Sequence, residues 1–207
     1  MTVMPMFPLG SVLFPAMPLT LRIFEERYLK LLGDLMTSEN PQFGVVLVAR
    51  GSEVGGGEHR KALGTIASVT EIGTTDQFLG LESTGSQRFI VNNWLPDDPY
   101  PIADIDLLPD LVWDDTLMPS RVHLELAVRQ VLSLASNFGQ LLFGPDIVLS
   151  TDPMEAVWQL AAVLPVGELD RFDMLSAESA EELISRAYTI AAAADSALRE
   201  MLDESAD

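Results

Sequence analysis

The 207-residue chain contains no cysteine and two histidines, His59 and His123. The first absence excludes thiol catalysis, disulfide scaffolds, iron–sulfur clusters and cysteine-ligated zinc. The second excludes an all-histidine metal site within one chain. Positive charge is scarce as well: 12 Lys and Arg face 31 Asp and Glu, for a net charge of −19. Nucleic-acid binding depends on Lys and Arg displacing counterions, so this balance argues against nucleic acid as a partner, and anionic lipid surfaces are repelled likewise. No stretch reaches the ~18 uninterrupted apolar residues of a membrane helix. The first 21 residues carry no charged side chain. They nevertheless lack the basic start and cleavage site of a signal peptide, and Pro5, Pro8, Pro15 and Pro18 break their apolar run. The expectation is a cytoplasmic protein that makes no membrane contact.

The hydrophobic content of 48%, with three Trp and nine Phe, supplies a core, and a chain of this length buries roughly 70% of its unfolded surface. The two halves differ in texture. Up to about Asp110, short β-branched runs punctuated by Gly and Pro predict strands over 43–49, 62–72, 78–82, 87–94 and 100–107. In the last of these, alternation places Asp104 and Asp106 on a wet face. Gly85-Ser86 reads as a turn, and 51–61, with four Gly, as a mobile connection containing His59. One helix interrupts this half, its stripe running through Tyr28, Leu31, Leu32, Leu35 and Met36. Several short strands with close turns predict an antiparallel barrel or sandwich, with the helix closing one end.

Beyond a connection at 111–118 the pattern turns helical. Leu124, Val128, Val131, Ala135 and Phe138 mark one face of a helix that begins near Pro119. Asp152-Pro153-Met154-Glu155 combines an Asp cap with Pro at the first helical position and Glu three residues past the cap. That helix stops at Leu164-Pro165, a short one covers 168–175, and a long one follows Ser176 or Ser179. The division is thus a β-rich part, 1–110, and a helical part, 119–207. The first 110 residues carry 7 basic and 14 acidic side chains, and the remainder 5 and 17.

Motifs that would carry chemistry are weak. Gly55-Gly-Gly-Glu-His-Arg-Lys61 has the ingredients of a phosphate loop in the wrong order, with Ala62 where a hydroxyl is required. No Gly-x-Ser-x-Gly elbow occurs, and His59 and His123 read as surface histidines. The aspartate pairs lie in turns or on wet faces, where nothing raises a carboxyl pKa. The reading is therefore no enzyme, no catalytic residue, no metal and no cofactor. The charges of Arg22, Glu25, Glu26 and Arg27 crowd the point where a strand passes into the first helix. Arg22, Glu25 and Tyr28 are expected to be structural there, with Arg22 and Glu25 paired.

Phe7-Pro-Leu9, Val12-Leu-Phe-Pro15, Pro18-Leu19, Leu21-Arg-Ile-Phe-Glu25 and Arg27-Tyr28 together resemble the opening of the Lon protease N-terminal domain. Phe43-Gly-Val-Val46, Glu53-Val-Gly55, Leu63-Gly-Thr65, Arg88-Phe89, Pro99-Tyr100, Asp152-Pro153 and Leu160-Ala-Ala-Val-Leu-Pro165 follow in the same order. One departure is Ala16, where that family commonly has Gly. No Walker motif or protease segment accompanies the match, so the resemblance implies neither activity and points to a stand-alone protein. It implies an α+β fold, a PUA-like antiparallel β-barrel lobe with one inserted helix followed by an α-helical bundle lobe. It also implies recognition of polypeptides.

Methionines suit recognition of varied sequences because they are flexible and polarizable. The Pro-broken N-terminal sequence contains Met4, Met6 and Met17, and Phe14, Pro15, Met17 and Pro18 are the candidate polypeptide-binding residues. The expected partners are unfolded or partly folded proteins, or a protein for which this chain is an adaptor, and a homo-oligomer is compatible. Binding would use a groove between the lobes or strand addition at a sheet edge. Two alternatives stand: an RNA- or nucleotide-binding PUA-like module, if Arg22, Arg27, Lys30, Arg50, Arg60, Lys61 and Arg88 shared one face, and a hydrolase with a cryptic Ser/His site.

Overall fold

The computed structural model describes residues 2–49, 59–74, 79–139 and 141–206. The chain divides into two compact units, Met1–Asp110 and Leu111–Asp207. The glycine-rich connection and the phosphate-loop candidate, up to Glu58, lie outside the described residues, as does Phe78 of the expected 78–82 strand.

The first unit is a six-stranded sheet: β1 (Thr2–Leu9), β2 (Pro18–Ile23), β3 (Gln42–Ala49), β4 (His59–Thr74), β5 (Leu79–Leu95) and β6 (Ile102–Leu107), with α1 (Glu26–Met36) between β2 and β3. The order is β2-β5-β4-β3-β1-β6, and β6 pairs with β5 as well as with β1. The sheet is mixed rather than antiparallel throughout, because β1 and β3 run parallel, Met6 opposite Gly44. Parallel neighbours need a long crossover, and here β2 and α1 supply it. Met4, Met6, Val46, Ile66, Phe89, Ala103 and Ile105 form a buried core, with the Phe89 ring seated over Gly44 and Gly64.

Helix α1 buries Tyr28, Leu31, Leu32 and Leu35, and Tyr28 stacks on Phe7 of β1 at 4.0 Å between ring centroids. Met36 falls outside the expected stripe. It is exposed because the helix ends there, with Thr37 donating from its backbone N–H to Asp34 and Leu35 and from its hydroxyl to Asp34. Tyr100 donates to Asp34 at 2.9 Å, which ties α1 to the segment before β6.

Three further expectations change. Gly85-Ser86 is not a turn but the middle of β5, which joins the two strands expected on either side of it. Glycine is needed there for close approach, since a Cβ would fall on the carbonyl oxygen of Phe14. Asp104 is not on a wet face: it is 7% exposed and its Oδ1 has no partner among the described residues, whereas Asp106 is exposed. On β6, which is paired on both edges, Asp104 lies opposite Val3 of β1 and Asn93 of β5 beside a register shift. His59 lies in no loop but opens β4, opposite Ala49.

The second unit holds α2 (Met118–Ala135), α3 (Pro153–Val163), α4 (Glu168–Leu175) and α5 (Ala180–Ala206). Asp152 caps α3 by accepting from the backbone N–H groups of Met154 and Glu155, both at 2.9 Å, with Pro153 at the first helical position. Helix α2 buries Leu124, Val128, Val131, Leu132 and Ala135. Phe138 does not extend that stripe: it lies past the helix end and is 43% exposed. Among the described residues, no helix is long and apolar enough to cross a membrane.

Candidate functional site

The proline-broken segment 10–17 is clamped onto the sheet. Thr65 donates its hydroxyl to the Leu13 carbonyl at 2.7 Å. The Ala16 N–H donates to the Gly85 carbonyl at 2.8 Å, and the Gly85 N–H donates to the Met17 carbonyl at the same distance. This fixes the candidate binding residues unequally. Phe14 is 1% and Met17 8% exposed, both core side chains, whereas Pro15 is half-buried and Pro18 exposed. Only the two prolines present surface to a ligand in this conformation.

Ala16 makes the turn with φ of 59°, a left-handed conformation that favours glycine. An L-residue with a Cβ is strained there by about 1–2 kcal/mol, only partly offset by the lower entropy of its unfolded chain. Ala16→Gly is therefore expected to raise the unfolding free energy by about 0.5–1 kcal/mol, and Ala16→Val to lower it. Urea midpoints of the two variants check this.

Past the turn, β2 pairs with β5 alone among the described residues, Pro18 opposite Thr84 through Ile23 opposite Leu79. Its outer edge is open among the described residues. Leu19, Leu21 and Ile23 turn toward the sheet, and the same alternation sends the next residue, Phe24, outward, where it is 74% exposed. That signal was legible in the sequence. Phe24 escapes the apolar stripe of α1 because the helix begins only at Glu26.

Beside this edge lies a cleft of about 340 Å³ whose walls include Phe7, Leu21, Tyr28, Arg22, Arg27 and Arg60. The guanidinium of Arg27 lies 4.9 Å from the Tyr28 ring centre, and that of Arg60 4.5 Å from Trp94. The ion pair at the strand–helix junction is Glu25 with Arg27, at 2.9 Å, and the hydrogen bond from Arg27 is what holds its pKa above the usual value. Arg60 lies 3.9 Å from Asp97. Of the expected structural trio, Tyr28 is in the core, Glu25 pairs with Arg27, and Arg22 is exposed and lines the cleft. The grouping of Arg60 with Arg27 and Tyr28 had no sequence signal, because the pairing of β4 with β3 creates it.

Of the other candidate cations, Arg50 lies outside the described residues. Lys30 pairs with Asp34 at 2.7 Å, and Arg88 is buried, so that desolvation pulls its pKa down while Asp110 pulls it up. Among the described residues neither histidine hydrogen-bonds to a serine or a carboxylate, and no cluster of three metal-ligating side chains occurs.

Residues 3–193 match the family described as the ATP-dependent protease La (LON) substrate-binding domain. The chain belongs to that family. It is similar in structure to a Lon N-terminal domain protein from Xanthomonas campestris, with 25% identity and a TM-score of 0.57 over 86% of this chain and 92% of that one. The N-terminal domain of Mycobacterium avium complex Lon protease shares the fold at 11% identity, with a TM-score of 0.64 over 94% of this chain and 98% of that one. No curated protein matches the sequence. The shared fold is the mixed sheet with five helices described above.

Proposed function

We propose that this chain is a non-enzymatic substrate-recognition module that takes extended apolar segments of other proteins along the open edge of β2. The observation that carries the reading is the coincidence of that unpaired edge with the exposed Phe24 ring and the adjoining cleft. Edge backbone groups supply sequence-independent hydrogen bonds, and the side-chain pockets beside them supply preference. Pro18 and Pro15 flank the edge, and Phe14 and Met17 support it from the core. The arginines on the cleft wall can donate to carbonyl oxygens of the bound segment. Membership in a substrate-binding family supports the reading. The sheet is read as a PUA-like barrel, supported by β6 pairing on both sides so that the ladder from β5 returns to β5.

The test is titration of a labelled, permanently unfolded apolar polypeptide, followed by fluorescence anisotropy and amide exchange. Saturable binding with new protection in β2 is expected. Phe24→Ser should weaken it by about tenfold, the loss typical of an anchoring aromatic, at an unchanged melting temperature because the ring is solvent-exposed. Absence of saturation at high micromolar concentration, or full affinity in Phe24→Ser without β2 protection, would overturn the reading.

A further inference from the structure

The helical unit carries a trench of about 880 Å³ between α2 and α5. It exists because the facing positions Ala127, Ala191 and Ala192 are too small to fill the space between the helices. Leu126 and Tyr188 stand at its rim, 62% and 48% exposed, and the buried Ile184 forms part of its lining. From Glu181 to Ser196 the trench follows α5 for about 24 Å at 1.5 Å per residue, which accommodates roughly four turns of another helix.

Charge selects the occupant. Of 22 charged residues in 111–207, 17 are acidic. Each of the five arginines is already engaged within the unit: Arg121 and Arg129 by Glu125, Arg171 by Glu168, Arg186 by Asp173 and Glu182, and Arg199 by Asp195. The trench lining carries Glu181, Asp195 (paired with Arg199) and His123, and no Lys or Arg. A second copy of this chain would bring another −19 and is repelled.

We infer that the α2/α5 trench is a docking site for a basic amphipathic helix of a partner protein. The partner's apolar stripe, at spacings of three and four, lies between Leu126 and Tyr188, while its Lys and Arg residues face the acidic flanks. This surface belongs to the other unit and does not rest on the β2 reading.

The experiment uses the full chain and three labelled peptides of about 18 residues, roughly five helical turns: an amphipathic Leu/Lys helix, a scrambled peptide of the same composition, and an amphipathic Leu/Glu helix. Saturable one-to-one binding of the Leu/Lys helix alone is expected, weakening as salt screens the acidic flanks. Leu126→Gln combined with Tyr188→Gln should weaken it at least ~10-fold, as loss of central anchors does. Leu142→Gln, at a residue 89% exposed outside the trench, should leave it unchanged. Equal binding of the scrambled or Leu/Glu peptide would overturn the inference. So would native affinity in the double variant, loss of binding in Phe24→Ser, or dimerisation of the chain through this face.

Discussion

Gly85→Ala is expected to destabilise the β unit by about 3–5 kcal/mol, a large share of the ~5–15 kcal/mol that holds a typical domain together. The added methyl would fall on the carbonyl oxygen of Phe14, with the carbon of that carbonyl at 3.0 Å and Leu13 Cγ at 3.2 Å. Neither side can retreat. The Phe14 carbonyl accepts from the Met17 N–H at 3.3 Å, and Gly85 exchanges two backbone hydrogen bonds with Ala16 and Met17. Moving the 10–17 segment away breaks those bonds and uncovers Phe14, one of the largest fully buried side chains. Gly80→Ala is the control: the residue lies on the same strand, where a Cβ would meet only the Gly73 carbonyl at 3.8 Å. It should change stability by no more than about 0.5 kcal/mol. Urea unfolding of both variants decides the matter. Equal stability would mean that the 10–17 segment is not pressed against β5.

The same residue shows what the sequence could convey about this fold. Helix signals are local, so Asp152-Pro153, the stop at Leu164-Pro165 and the stripe of α1 are legible without tertiary knowledge. A glycine in a strand-rich region is ambiguous, because it serves a turn and a close approach equally well. At Gly85 the deciding neighbour, Phe14, is about seventy residues distant in the chain. Asp104 misleads for a related reason. Alternation specifies which side of the strand a residue takes but not how deeply each position on that side is covered, and here Asp104 is buried while Asp106 is exposed. At the candidate site, Phe24 follows from alternation, whereas the meeting of Arg60 with Trp94 depends on how β4 and β5 pair. Methionine content pointed to Met17 as a contact residue, but the clamp at Gly85 places its side chain inside.

Arg171→Ala is expected to cost the helical unit about 2–4 kcal/mol, although the residue touches no ligand-accessible surface discussed above. Helix α3 ends at Leu164-Pro165, so its last carbonyl groups have no α-helical partner, and of these Leu164 accepts from the Val166 N–H at 2.9 Å. Arg171 closes that end: its guanidinium donates to the carbonyls of Ala162 at 2.5 Å and Leu164 at 2.8 Å, and to Val166 at 3.4 Å. Ala162 is 5% and Leu164 0% exposed, so water is poorly placed to replace the lost donors. The positive charge also stands at the negative end of the helix dipole. Its ion pair with Glu168, at 3.6 Å and partly exposed, is the smaller contribution. Two comparisons separate the effects. Glu168→Gln should cost less than about 1 kcal/mol. Arg171→Lys should recover only part of the loss, because an ammonium is a point charge and lacks the planar fork that spans several carbonyls. Amide exchange in α3 and α4 during unfolding resolves the helical unit from the sheet. If Glu168→Gln proved as damaging as Arg171→Ala, the ion pair and not the carbonyl clamp would be what holds α3 closed.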